Sequence, residues 1–275
     1  MQSPDTPDSG FFPQLALQRV IRCLDADVQA TRKLRGRDRA GPTRADLRYL
    51  DRLVQKPWGS EFRVYEDEFR EVWCLYIAPG RRTSLHCHPN KLTAVLCLCG
   101  HGALRTCTGV QYALDPGVVL KIEPGAYHRL SASKSGVRLV EVETPKDKLD
   151  LVRIEDDVRD VVEPYEGEDH APLGLLDVDT EAMPAALQPF AAQQLGAYRW
   201  ARLRAHDSID GHRFAVEDGA RVRGSTDLAF AIAIEPRLGM APEITVLGPG
   251  GTSAADPQRL YLTIRSQGGR SCDAR

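Results

Sequence analysis

Apolar residues near the N-terminus recur at steps of three and four, which is typical of one face of a helix. Between Pro13 and Arg35 they are Leu17, Val20, Ile21, Leu24 and Val28. A second, shorter helix is predicted from Thr43 to Val54. Residues 1–55 are therefore expected to form a helical extension.

From Lys56 onward the pattern changes to short apolar runs, many of which alternate with polar residues. Glycine, proline, asparagine or aspartate separates successive runs, as in strands joined by tight turns. Because no helical segment intervenes, the pattern predicts an antiparallel barrel or sandwich over residues 56–162.

The remaining chain is divided by a segment rich in Glu, Asp and Pro. Residues 163–196 are interpreted as a linker that includes one short helix, "AALQPFAAQQLG". Residues 197–275 return to a strand pattern, and "LGPGGTSAAD" stands there where "LDPGVVLKIEPG" stands in the first block. This weak internal repeat predicts a second, degenerate barrel that has lost its polar site residues.

Charge and composition narrow the classes of partner. The chain has 36 basic and 38 acidic residues, so no overall field favours nucleic acid or an anionic membrane surface. It has neither a signal-peptide pattern nor an apolar run long enough to span a membrane, and we expect a cytoplasmic protein. Seven cysteines without zinc-finger spacing are interpreted as reduced, mostly buried thiols.

Three histidines form the strongest chemical pattern. His86 and His88 are separated by one residue on a predicted strand, so both can project to the same face while Cys87 projects to the other. His128 follows the turn Glu123-Pro124-Gly125. Neutral imidazoles suit divalent Zn, Mn, Fe, Co or Ni, and three of them leave positions open for water or substrate.

The spacing of these residues resembles the two-part pattern of the cupin superfamily, G-x5-H-x-H-x4-E-x6-G followed by G-x5-P-x-G-x2-H. The resemblance implies a mainly β fold, a double-stranded β-helix or jelly-roll barrel, and for the whole chain a bicupin. Thr93 stands where the family usually has a carboxylate ligand, and Glu123 stands at the proline position. Without that carboxylate the metal would keep its full charge, which favours an anionic substrate.

A longer resemblance covers Lys56 to Asp160. The segments "KPWGSEF", "IAPGRRTSLHCH", "LCGHGALR", "IEPGAYHRL" and "RLVEVETPKDKLDLVRIEDD" are similar to type II phosphomannose isomerases, which also form the C-terminal part of mannose-1-phosphate guanylyltransferases. In that family positions 86, 91 and 93 are commonly Gln, Arg and Glu, so the chain resembles a divergent relative. The resemblance implies a metal-dependent isomerase or epimerase of sugar phosphates, in carbohydrate or surface-polysaccharide metabolism.

Such a reaction needs a polarised carbonyl, a base and cations that hold the phosphate. The basic residues nearest the motifs are Lys91, Arg105, Lys121 and Arg153. Glu141 and Glu143 share one face of a late strand and are candidate bases. Tyr127 and His101 are alternatives.

Two other functions remain open at this stage. Three histidines without a carboxylate also occur in cupin thiol dioxygenases, which implies iron-dependent oxygen chemistry. The absence of a glutamate at position 93 and the degenerate second barrel instead favour a non-catalytic cupin that binds a sugar or regulates a partner. A small-molecule ligand is expected in each case, and a homodimer is an open alternative to a monomer.

Overall fold

The structure, a computed structural model, describes residues 18–34, 54–67, 69–147, 150–157, 201–203, 212–234 and 243–266. The predicted linker and its helix lie outside these residues. So does the predicted helix from Thr43 to Val54, except for Val54 itself, which begins a strand.

The described residues are mainly β. The strands are β1 Gln18–Ile21, β2 Val54–Lys56, β3 Gly59–Asp67, β4 Glu71–Ile77, β5 Leu85–Cys87, β6 Leu92–Thr106, β7 Gln111–Leu114, β8 Val119–Ile122, β9 His128–Thr144, β10 Val152–Glu155, β11 Ala201–Leu203, β12 His212–Asp218, β13 Leu228–Ala233, β14 Val246–Leu247 and β15 Leu260–Ser266. The helices are α1 Asp25–Leu34, α2 Gly219–Val222 and a 3₁₀ helix, Pro249–Ala254.

Two long strands organise the barrel. β6 and β9 pair in two stretches, Leu92–Cys97 with Leu139–Thr144 and Gly102–Thr106 with His128–Ala132, with register shifts between them. β9 also pairs with β4 along its second half and with β5 at its start. The sheet therefore folds back on itself in two layers, and the predicted mainly β, double-stranded β-helix barrel is confirmed.

The two faces of this sheet pack against different partners. Inward-facing residues form one apolar core, which includes Trp73, Leu75, Val95 and Leu139. The alternate residues of the same strands face outward and pack against a second, four-stranded sheet in the order β12-β15-β13-β14. Both faces of the central strands are thus buried, as the near-continuous burial of β4 illustrates.

The N-terminal segment differs from the predicted single helix. Gln18–Ile21 is a strand that pairs in parallel with β8, and the helix begins only at Asp25. Ile21 is 2% exposed within the barrel core, whereas Val20, Leu24 and Val28, which should have shared its helical face, are 41–51% exposed. The backbone of this segment pairs with the edge of β8, and the side chain of Ile21 is buried in the barrel core. These tertiary contacts override the local helical propensity that the apolar spacing indicated.

Strands are present in the C-terminal segment, as predicted from its sequence. β12 to β15 are antiparallel, as the strand pattern indicates, and Phe214, Phe230, Ile232 and Leu262 contribute to the core that they share with the first sheet. The proposed division at 1–55, 56–162, 163–196 and 197–275, and the interpretation of the last unit as a degenerate second barrel, remain predictions.

The prediction that the cysteines are reduced thiols holds for some of the described cysteines but not for all. Cys23, Cys74, Cys87, Cys97 and Cys107 are free thiols, but Cys99 is disulfide-bonded. None of the helices in the described part of the chain is long and apolar enough to cross a membrane.

Gly100, at the bend of β6, offers a test of the two-layer geometry. Its φ is +78°, and an added Cβ would lie 2.3 Å from the Gly136 carbonyl oxygen on β9. We expect Gly100→Ala to lower the free energy of unfolding by several kcal/mol, because it adds a backbone clash to the left-handed strain of about 1–2 kcal/mol.

Gly109→Ala is the matched control in urea unfolding. Gly109 has a similar φ of +85°, but its added Cβ would meet nothing within 4 Å. Equal losses in the two variants would contradict the close approach of β6 and β9 at this bend.

Candidate metal centre

The three histidines meet inside the barrel because of strand pairing. His86 lies on β5 directly opposite His128, the first residue of β9, and His88 follows one residue after β5 ends. The ring centroids are 4.6 to 5.6 Å apart. One ligand atom from each residue lies within 4.8 Å of the others, so the predicted cluster is present in the structure.

Hydrogen bonds to backbone carbonyls fix the orientation of each ring. The Nδ1 atoms of His86, His88 and His128 lie 3.0, 2.7 and 3.0 Å from the carbonyl oxygens of Ser84, Asp150 and Ala126. A carbonyl oxygen can only accept, so each Nδ1 carries the proton. Nε2 is then the unprotonated nitrogen of each ring, as in ligating histidines whose other nitrogen donates to a carbonyl.

Burial favours the neutral form of two of the three imidazoles, those of His86 and His128. Burial holds the pKa of His86 well below its usual range, and the neighbouring His128, His88 and Arg153 lower it further. Burial also lowers the pKa of His128, with a partial opposing effect from the Ala126 carbonyl. His128 is fully buried, and within the described structure its Nε2 has no hydrogen-bond partner.

These features fit a divalent metal. A buried acceptor nitrogen without a partner, such as His128 Nε2, is costly, and a cation bound by the three histidines would satisfy it. His86, His88 and His128 are therefore the residues that would hold the ion. The metal's identity is not determined by imidazoles alone, since Zn, Mn, Fe, Co and Ni all accept them.

Two carboxylates lie beside the histidines. Glu141 and Glu143 both point into the barrel and line the same pocket as His86 and His88. Glu143 Oε1 is 3.4 Å from His88 Nε2, and with Glu141 these residues form a second group that could hold a cation. The two glutamates selected as candidate bases thus face the site and not the solvent.

Lys91 lies in the pocket but is already engaged. Its side chain is 1% exposed, and Nζ lies 2.8 Å from Glu143 Oε2 and 3.6 Å from Glu71 Oε1. An ammonium group held between two buried carboxylates is poorly placed to bind a substrate anion. The expectation that Lys91 binds substrate stays a prediction; its observed contacts are with the carboxylates.

Arg153 is the other predicted anion-binding residue that reaches the pocket. It lies on β10 opposite His86 and lines the pocket together with Lys56, Trp58 and Glu61. Lys56 Nζ is 3.4 Å from Glu61 Oε1. Lys56, Trp58 and Glu61 were not selected as site residues from the sequence, although they fall within the "KPWGSEF" segment that carries the family resemblance.

Arg105 and Lys121 do not line the pocket. Lys121 alternates with Leu120 and Ile122, whose side chains face the barrel core, and it pairs with the outward-facing Ala94. Arg105 likewise follows the inward-facing Leu104 and lies opposite Arg129. Alternation along the strand therefore directs both cations away from the site, contrary to the prediction.

Tyr127 also lies away from the pocket. It is fully buried against Leu85 and Cys87, the residues of β5 that face away from the histidines. Its hydroxyl is 3.1 Å from that of Thr31 in α1, and its backbone N–H donates to Asp27. The structure gives Tyr127 a packing position in place of the predicted catalytic one. His101 is mostly exposed and contacts Asp115.

Comparisons with known proteins give matches only among solved structures. No protein-family model and no curated protein matches the chain. A conserved protein with a double-stranded β-helix domain from Klebsiella pneumoniae is 21% identical, with a TM-score of 0.32 over 34% of this chain and 77% of that one. KdgF from Halomonas sp. is 15% identical, with a TM-score of 0.32 over 34% and 84%.

A third match is the capsular polysaccharide assembling protein CapF from Staphylococcus aureus. It is 17% identical, with a TM-score of 0.34 over 38% of this chain and 34% of that one. Each of the three matches spans between a third and two fifths of the present chain.

The neutral histidines predict loss of stability in acid. The folded pKa of His86 and of His128 is lowered, so below the unfolded value of about 6.5 the unfolded chain binds more protons than the folded one. In EDTA, stability should be complete above about pH 6.5 and fall by up to about 1.4 kcal/mol per pH unit for each histidine as the pH decreases.

Urea unfolding at several pH values measures this slope. His128→Gln should reduce it, whereas His101→Gln, which changes a mostly exposed histidine, should leave it unchanged. The same slope in both variants would contradict the assignment of the acid sensitivity to the buried cluster.

Metal binding by the three imidazoles is tested by elemental analysis after loading with Co²⁺ and desalting. We expect near-stoichiometric metal in the parent and loss of it in the double variant His86→Ala/His88→Ala, because two of three nitrogen ligands are removed. Metal retained by the double variant would place the ion elsewhere.

Proposed function

We propose that the chain is a metal-dependent cupin enzyme that isomerises or epimerises a sugar phosphate or a related anionic carbohydrate. The observation that carries the proposal is the group of three oriented imidazoles, two of which line one pocket together with an inward-facing pair of carboxylates. A metal supplies Lewis acidity at a carbonyl oxygen when bound. The carboxylates supply a base close to it.

The charge of the pocket supports an anionic substrate. Its lining contains three cations, Lys56, Lys91 and Arg153, and three carboxylates, Glu61, Glu141 and Glu143. These formal charges balance, so a divalent ion would leave the loaded pocket with a net positive charge. An anionic group on the substrate compensates that charge.

Each residue has a defined task in this proposal. Glu141 is partly exposed in the pocket and takes the proton from the carbon next to the carbonyl, since Glu143 is held by Lys91. Arg153, beside His86, binds the phosphate or carboxylate of the substrate. Trp58, a buried residue that lines the same pocket, adds an apolar wall beside the substrate.

The proposal predicts separable effects of two variants. Glu141→Gln should lower kcat by roughly 100- to 10,000-fold with little change in KM, because it removes the base. Arg153→Met should raise KM for the phosphorylated substrate. Interconversion of mannose-6-phosphate and fructose-6-phosphate, with Zn²⁺, Mn²⁺, Co²⁺ or Ni²⁺ added, measures both.

Arg105→Met is the matched control, because Arg105 is an arginine of the same barrel that faces away from the pocket. It should leave both constants unchanged. If the parent turns over no hexose or heptose phosphate with any of these metals, the proposed activity is rejected.

Iron-dependent dioxygenation is the second candidate, supported by three histidines in a group without a carboxylate at position 93. Oxygen uptake that requires Fe²⁺ and a thiol or small acid would favour it. Isomerase activity with Zn²⁺ in the absence of iron would exclude it.

A further inference from the structure

Glu143 occupies a position from which it can replace the carboxylate that Thr93 lacks. Thr93 and Glu143 are directly opposite each other in the pairing of β6 with β9, and both side chains face the barrel interior. Side chains at such opposed positions are close neighbours. A carboxylate on β9 can therefore reach nearly the same region as one on β6.

The two carboxylate oxygens of Glu143 contact different residues. Oε2 accepts from the buried Lys91 ammonium at 2.8 Å, while Oε1 lies 3.4 Å from His88 Nε2. Lys91 thus fixes the carboxylate with its second oxygen directed at the histidine cluster. Lys91 is in turn neutralised on its other side by Glu71.

A cation between Glu143 Oε1 and His88 Nε2 would interact favourably with both atoms. The Nδ1 proton of His88 is donated to the Asp150 carbonyl, which leaves Nε2 as the acceptor nitrogen, 3.4 Å from Glu143 Oε1. The separation of 3.4 Å matches the distance of about 3.4 Å between two ligands of a tetrahedral ion that lie about 2.1 Å from it.

Thr93 itself does not compete for this role. It is 1% exposed, and within the described structure its Oγ1 has no hydrogen-bond partner. A neutral hydroxyl is a weak ligand for divalent ions compared with a carboxylate. The position on β6 is therefore filled by a small side chain that leaves room for the group from β9.

From this arrangement we infer that Glu143 is a fourth protein ligand of the metal, supplied by β9 in place of the residue on β6, and that Lys91 positions it. The inference rests on the metal-binding part of the proposed function. It assigns Glu143 to the metal and leaves Glu141 as the base.

Calorimetric titration of the metal-free protein with Co²⁺ tests the assignment. Glu143→Gln should weaken Co²⁺ binding by roughly 100-fold or more, the upper end of the losses seen for outer-shell residues. It should also change the visible Co²⁺ spectrum, because one oxygen donor is lost. Glu141→Gln, a carboxylate on the same face two residues away, should weaken binding by less than about tenfold.

Lys91→Met separates ligation from ion pairing. If Glu143 binds the metal, Lys91→Met should retain the visible Co²⁺ spectrum and change Co²⁺ affinity by less than about tenfold, because losing the positioning contact and removing a positive charge have opposite effects. If Glu143 serves only as the counterion of Lys91, Glu143→Gln weakens Co²⁺ binding by less than about tenfold and leaves the spectrum unchanged, and the inference is overturned.

The double variant Lys91→Met/Glu143→Gln controls for misfolding, because it removes both members of the buried pair and leaves no excess charge between them. It should bind Co²⁺ as weakly as Glu143→Gln; recovery of parental affinity would overturn the inference. Co²⁺ binding by the parent that is lost in Glu143→Gln, without any isomerase activity, would support the ligand while rejecting the proposed reaction. No Co²⁺ binding by the parent would reject both.

Discussion

The pairing of β6 with β9 determines both the shape of the barrel and the composition of its site. The two strands are the longest in the described structure, and their register brings Thr93 opposite Glu143 at one end and Thr106 opposite His128 at the other. The bend between these stretches requires Gly100 to approach Gly136 within a distance that no side chain allows. Because His128 begins β9 and also pairs with His86, a shift in this register would separate the histidines as well as the layers.

Buried charges extend from the site into the adjoining strands. Arg63 contacts Glu66 and Glu71, while Lys91 contacts Glu71 and Glu143, so carboxylates and cations alternate across β3, β4 and β9. Desolvating ions costs free energy, and each is tolerated because a neighbour of opposite sign compensates it. Removing one member leaves an uncompensated charge in the barrel interior. This series of alternating charges ends at Glu143 beside His88, where the compensating cation would be the metal.

The histidine cluster was accessible from sequence because strand alternation and a fixed spacing were sufficient to bring its members together. Alternation could equally have excluded Lys121, which lies between two core residues. It could not decide whether Glu141 and Glu143 face the site, because Val140 and Val142 pack against a second sheet and both faces of β9 are buried. The strand at Gln18–Ile21 was missed for a related reason: its pairing with β8 depends on a distant segment. Likewise, burial against α1, which no local pattern reveals, is what removes Tyr127 from the pocket.

In the proposed function, the balance of charges in the pocket would make anion recognition conditional on the metal. Lys91 contacts Glu143 and Glu71, Lys56 is close to Glu61, and Arg153 is paired with His86 in the sheet. Three cations balanced by three carboxylates in the lining attract an anion only weakly. Ligation by Glu143 would reduce the charge of the ion locally, yet Lys91 beside the same carboxylate offsets that reduction. The loaded pocket therefore stays positive overall, and an anionic substrate should bind after the metal and not before it.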